Sequence, residues 1–393
     1  MTGSSEPTPP PGRRRVVITG MGTVNALTSG GRSAVAEALA LGRSGIGPLR
    51  GFVPEPGTSG LAAEIDDARL AALVDPAEAR WLSRICRLTV AACRLAVADA
   101  GVGSGPGLAI VVGSEHGDFR SSEEFAGGYL RGGPAGLSPM IFPNTVMNTM
   151  ASVAAIAVGA RAPSVTLNQP TIVGDLAVAR AAAIVARGDA EAAVAGGVDE
   201  ICALVYRHLQ RLGALSPMRG GGPEGCRPYA ADHNGPVLGE GATFLVLESL
   251  DAARARGASI VAELVDQAWG NVPASAHAAR PGRADRGSPV GRLLGAHASA
   301  GFRRVYGAGN GDAGVDGWER RLLARDLGPR DAPPLSLAPL FGQHGGLGTL
   351  RVAAAALDAA RGVSPVLVHG IARGGCRTAL IVAALDSVGR DHE

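Results

Sequence analysis

The segment Pro163-Ser-Val-Thr-Leu-Asn-Gln-Pro-Thr171-Ile-Val-Gly174 runs from an apolar stretch into an Ala-rich helix, with Thr171 at the turn between them. The N-terminus of a helix lowers the pKa of a thiol that adjoins it and so prepares a nucleophile. Threonine offers a hydroxyl instead. It needs a strong adjacent base before it attacks anything at neutral pH. The histidines that could serve as that base are isolated in sequence: His344 follows Gln343 in a Gly-rich loop, and His116 lies between Glu115 and Asp118. A single histidine without partners is no acid/base constellation. Cys86, Cys93, Cys202, Cys226 and Cys376 are scattered without metal-ligand spacing and read as small core residues in a reducing compartment. No metal and no cofactor are expected.

Alternating strand and helix signals must position these residues. Short β-branched or apolar runs predict strands near residues 16–19, 108–112, 165–167, 192–195, 243–247 and 378–382. Small-residue stretches predict helices near 31–41, 174–186 and 349–360. Asp75 as N-cap, Pro76 at the first helical position and Glu78 at the third predict a long helix reaching Asp99. The alternation alone implies largely parallel sheets with helices on both faces.

The chain has 393 residues, 46% of them hydrophobic, and a formal net charge of +2, which suits a folded protein of two fused lobes, 13–250 and 251–393. No basic stripe with interleaved aromatics marks a nucleic-acid partner. Residues 1–12 form a Pro-rich, disordered tail without the apolar region of a signal peptide, and no run reaches the ~18 apolar residues of a membrane span. A cytoplasmic protein without membrane contact is the expectation.

Five blocks in order resemble the ketosynthases of the thiolase superfamily: Arg14-Arg-Val-Val-Ile-Thr-Gly-Met-Gly-Thr-Val-Asn-Ala-Leu27, Gly42-Arg-Ser-Gly-Ile46, Arg187-Gly-Asp-Ala190, Ala195-Gly-Gly-Val-Asp199, and Arg227-Pro-Tyr-Ala through Gly239-Glu-Gly-Ala242. The resemblance implies an α/β thiolase fold, two similar mixed-sheet halves in a five-layer αβαβα arrangement. It also implies where a condensing enzyme keeps its reactive groups. Thr171 stands at the nucleophilic cysteine. Val305-Tyr-Gly-Ala-Gly-Asn310 puts Ala308 at the first histidine, and Ala338-Pro-Leu-Phe-Gly-Gln-His-Gly-Gly346 puts Gln343 at the second and Ala338 at the lysine. Arg373, in Ala372-Arg-Gly-Gly375, occupies the phenylalanine that gates the acyl pocket. A slide of one residue would bring His344 to the second histidine position, but it would misplace Gly342 and Gly346. Asp316, Glu319 and Glu240 match retained acidic positions and are expected to hold turns through backbone hydrogen bonds.

Between the second expected strand and Thr171, the chain concentrates Phe119, Phe125 and Phe142, three of its seven phenylalanines, and Met140, Met147 and Met150, three of its six methionines. In a thiolase-fold dimer the matching region lies at the subunit interface and at the far end of the acyl tunnel. The resemblance therefore implies tunnel or interface roles for Phe119, Phe125, Phe142, Met147 and Met150, beside the plain alternative of core packing. The family reading is a chain-length-factor-type subunit of a type II polyketide synthase. It would pair with an active ketosynthase, limit chain length, and leave the acyl carrier protein to dock mainly on that partner. A divergent acyl-transfer enzyme using Thr171 or His344, and a homodimeric acyl-binding scaffold, stay open.

Overall fold

The computed structural model describes residues 12–55, 59–218, 222–275, 278, 287–297, 301–330 and 332–385. The expected tail, residues 1–12, lies outside them except for Gly12. Leaving out single-turn helices and two-residue strands, the order is β1 (Val16–Asn25), α1 (Arg32–Leu41), α2 (Arg84–Ala100), β2 (Leu108–Ser114), α3 (Phe119–Gly132), α4 (Thr149–Val158), β3 (Ser164–Asn168), α5 (Val173–Arg187), β4 (Ala192–Asp199), α6 (Ala203–Leu212) and β5 (Gly241–Ser249). The second half continues with β6 (Ala262–Asn271), α7 (Pro289–Ala296), β7 (Arg304–Tyr306), α8 (Ala313–Leu327), α9 (Gly346–Ala360), β8 (Val366–Ile371) and β9 (Cys376–Ala383).

Two expected element boundaries change. β1 does not stop at Gly20 but runs on to Asn25, because its glycines are where α2 crosses the strand: a Cβ on Gly22 would stand 2.3 Å from the Ala96 nitrogen. The helix expected from Asp75 to Asp99 is two pieces. Asp75 does cap a single turn, Pro76–Ala79, accepting from the Ala77 N–H at 2.7 Å. The chain then leaves the helix, Leu82 packs against the core, and an extended Ser83 starts α2. Glu78 turns to Arg94, 2.6 Å away, instead of completing a capping box.

The sheet order β7-β8-β9-β6-β1-β5-β4-β2-β3 explains how one plan is used twice. In the first half β1 pairs antiparallel with β5, β5 antiparallel with β4, β4 parallel with β2, and β2 parallel with β3. In the second, β6 pairs antiparallel with β9, β9 antiparallel with β8, and β8 parallel with β7. The sheets are thus mixed and not largely parallel as alternation alone suggested. β1 and β6 join the halves by antiparallel pairs from Val16↔Leu264 to Ile18↔Ala262.

Alanine sets the spacing of the central layer. Ala177, Ala181 and Ala182 of α5 and Ala353, Ala355 and Ala356 of α9 share one buried cluster with Leu245 of β5 and Leu380 of β9, so two helices lie between the two sheet halves. α2 and α4 cover the outer face of the first half and α7 and α8 that of the second, completing five layers. The ends of β2, β3 and β4 therefore converge on the starts of α5 and α9, where backbone N–H groups are free to meet other partners.

Candidate functional site

Thr171 follows β3 and precedes α5 in a left-handed conformation, φ 62°. A β-branched residue there costs about 1–3 kcal/mol, so the surrounding contacts must impose the turn. Those contacts are visible. The Thr171 N–H donates to Glu115 Oε2 at 2.9 Å, and its carbonyl accepts from Gln343 Nε2 at 3.4 Å. Asn168 Nδ2 donates to the carbonyls of Ser114 and Glu115 at 2.9 and 2.7 Å. Asp199, at the end of β4, accepts from Ser114 Oγ at 2.6 Å, from the Glu115 and His116 N–H groups at 3.1 Å each, and from the Gly345 N–H at 2.7 Å. One carboxylate thus fastens the Glu115 loop and the start of α9 together.

These groups belong to a pocket of about 130 Å³ whose lining includes polar residues, Glu115, His116, Thr171, Gln343, His344 and Arg373, and apolar ones, Val205, Leu209, Leu215 and Leu238. Arg373 is drawn to Asp312, its Nε 2.8 Å from Oδ2. Ala308 and Ala338 do not line this space; they are sealed in core clusters at 1% and 0% exposure. Burial raises the Glu115 carboxyl above its ordinary range, beyond what His116 and the Thr171 N–H offset.

The retained acids hold backbone. Glu240 accepts from the Ile65 and Ile201 N–H groups at 2.7 and 3.0 Å and pairs with Arg84. Asp316 accepts from the Tyr229, Asn310 and Gly311 N–H groups at 2.8, 3.0 and 3.2 Å. Burial lifts its pKa to about 6 despite these bonds. Glu319 accepts from the Ala308 N–H at 3.0 Å and from the Tyr229 hydroxyl at 2.5 Å, and lies 2.6 Å from His369 Nδ1. Burial would raise the Glu319 carboxyl, but the bond and charge of His369 outweigh it and hold the group below its usual range. Sequence reasoning missed Glu115, His369 and the Tyr229 hydroxyl. The family blocks located Tyr229, yet nothing in the spacing tied it to Glu319, which is 90 positions away.

The family described as "Beta-ketoacyl synthase, N-terminal domain" matches residues 13–253. The chain belongs to the beta-ketoacyl synthase family. Its curated relatives include 3-oxoacyl-(acyl-carrier-protein) synthase 2 of Synechocystis sp., 30% identical over 261 residues, and that of Staphylococcus aureus (strain COL), 31% identical over 257 residues. The matches cover 65% and 64% of this chain but 62% of each relative, so less than two thirds of the relatives' length is spanned. Among solved structures, "The ishigamide ketosynthase/chain length factor" superposes with a TM-score of 0.83 at 24% identity over 95% of this chain and 100% of that one. A beta-ketoacyl synthase from Burkholderia phymatum STM815 gives 0.80 at 25% identity with the same coverage. Both show the same fold.

Within this ketosynthase fold, Gln343 and not His344 reaches Thr171. Gly342 has φ 68° and a Cβ there would come within 2.7 Å of Gly239, so the backbone needs glycine at this position. His344 also lines the pocket, but its Nδ1 accepts from the Gly346 N–H at 3.1 Å and its Nε2 has no partner among the described residues. Burial lowers its pKa to about 4, more than the charge of Asp199 can offset. The ring is therefore neutral at pH 7 and stabilises the fold only while neutral. Since the unfolded ring titrates near 6.5, this contribution is present above that pH and is lost as pH falls toward 4. It amounts to on the order of 3 kcal/mol. Urea unfolding across that window should show a steeper acid-side loss for the native protein than for His344→Gln. Equal slopes would refute the assignment.

The ketosynthase chain carries its aromatic cluster away from the pocket. Phe119 and Phe142 are 37% and 55% exposed, Phe125 and Phe142 rings lie 5.8 Å apart, and Met147 Sδ sits over Gly117. None of them lines the pocket. Met150 differs, being 2% exposed within the outer core beneath α2, so its side chain is core rather than interface. Elsewhere on the surface Leu130 and Ile156 are 84% and 82% exposed, and β3 is an edge strand that pairs only with β2 among the described residues. Leu130 and Ile156, like Phe119 and Phe142, are exposed apolar side chains. No group of three or more His, Cys, Asp or Glu able to hold a metal occurs among the described residues, and no helix there is long and apolar enough to cross a membrane.

Proposed function

We propose that this chain is the chain-length-factor-type subunit of a type II polyketide synthase, a cytoplasmic partner that pairs with an active ketosynthase through its exposed apolar face. The observation that carries the reading is the pocket together with the two alanines buried outside it. It keeps the strained turn at Thr171 and the fold around it, while Thr171, Ala308, Gln343 and Ala338 supply no thiol, no imidazole and no ammonium at the positions where a condensing ketosynthase has them. The likeness to "The ishigamide ketosynthase/chain length factor" supports it. So does the likeness to a structure described as a type II PKS acyl-carrier protein in complex with its ketosynthase, with a TM-score of 0.79 at 20% identity. Phe119, Phe125, Phe142 and Met147 would meet the partner and close the far end of its tunnel, and the acyl carrier protein would dock mainly on that partner. Arg373, drawn aside by Asp312, would stand where the gate residue moves in a catalyst.

Co-expression with an intact Cys-His-His ketosynthase tests the pairing. The two chains should co-purify and make product together, while this chain alone, after incubation with acyl carrier thioesters, should show no mass increment. A stoichiometric acyl adduct on Thr171 would replace the proposal with a divergent acyl-transfer enzyme. A stable homodimer that ignores the ketosynthase would replace it with a scaffold.

A further inference from the structure

The interface reading leaves Glu115 without a role. Its main chain is fixed on both sides, its N–H 3.1 Å from Asp199 Oδ1 and its carbonyl 2.7 Å from Asn168 Nδ2. Its side chain is thereby presented to the turn, and Oε2 accepts the Thr171 N–H at 2.9 Å. That N–H belongs to a left-handed residue between the end of β3 and the start of α5. A backbone donor at such a turn, facing a pocket, polarises an acyl carbonyl when the space it points into is free. Here that space holds a carboxylate.

Glu115 is held in place by its own backbone hydrogen bonds while a thioester carbonyl arrives from solution, so the carbonyl has to displace a tethered acceptor to reach this N–H. The arginine that lines the pocket, Arg373, is committed to Asp312 and does not draw the carboxylate away. We propose that Glu115 is a built-in occupant of the carbonyl position at Thr171 and makes the pocket selective against thioester carbonyls. The effect is distinct from the loss of a nucleophile: a thiol restored at residue 171 would still face a site in which the acyl oxygen has no donor.

The probe is an acetonyl thioether of N-acetylcysteamine, a ketone that mimics a short acyl thioester, carrying ¹³C at its carbonyl. The native full-length chain should show no saturable binding at millimolar probe and a slowly exchanging Thr171 amide. Glu115→Ala should bind at least about 10-fold more tightly, with a downfield shift of the bound carbonyl and faster Thr171 exchange. Glu115→Gln, equal in length but neutral, should fall between them, and it decides the matter if the alanine variant does not fold. Native and variant proteins binding the probe equally, or folded variants that neither bind it nor alter Thr171 exchange, would overturn the proposal. The measurement needs no partner chain, so a failure of the pairing reading would leave it unaffected.

Discussion

Asp175→Ala is expected to destabilise the fold by about 3–5 kcal/mol, read from urea unfolding of the purified chain. Asp175 lies in the first turn of α5 and pairs with Arg351 of α9; the two side chains are 0% and 1% exposed. They stand in the alanine-rich layer between the two sheet halves, where no solvent can take over either charge. Removing the carboxylate leaves a buried guanidinium between the sheets, beside the His369–Glu319 pair. Asp175→Asn keeps an acceptor oxygen and should lose appreciably less. A loss below about 1 kcal/mol for the alanine variant would mean that water or another group reaches Arg351, and that this layer is not sealed as described.

Ile156→Arg should leave that fold intact and abolish assembly. Ile156 is 82% exposed on α4, so its substitution should change unfolding free energy by no more than about 0.5 kcal/mol. If a ketosynthase partner covers Ile156 as proposed, a buried unpaired guanidinium there should weaken association about 100-fold or more. Sedimentation velocity of the co-expressed pair measures both species. An undiminished complex would place the interface elsewhere and remove the main structural support for pairing through this face.

What could be read in the sequence and what could not separate on physical grounds. Strands at Leu108, Val165, Ala192 and Thr243 were legible because apolar runs bounded by glycine and polar residues announce themselves locally. Thr171, Gln343 and Arg373 could be carried to one pocket because a family's motifs fix positions around a turn. The continuation of β1 through two glycines was not legible, since the reason lies in α2, more than 60 residues on. The break at Ser83 was hidden by a capping pattern whose acid had another partner, Arg94. Glu115 looked like one charge beside a histidine, and only the folded chain sets it against the Thr171 N–H. Hydrogen bonds between distant segments leave no period and no spacing in a sequence.

The burial of Ala308 limits what can stand in its place. Its methyl group is enclosed with Val315, Trp318, Leu322 and Ile371, and its N–H is held by a glutamate already shared between Tyr229 and His369. An imidazole at that position would meet a packed core and a glutamate already engaged, and overfilling such a core costs about 1–3 kcal/mol. Each neighbour would have to retreat first, and none of those changes is useful alone. On the proposed reading, a side chain larger than alanine at this position would call for changes at several packed neighbours together, so the enclosure of residue 308 ties its identity to theirs.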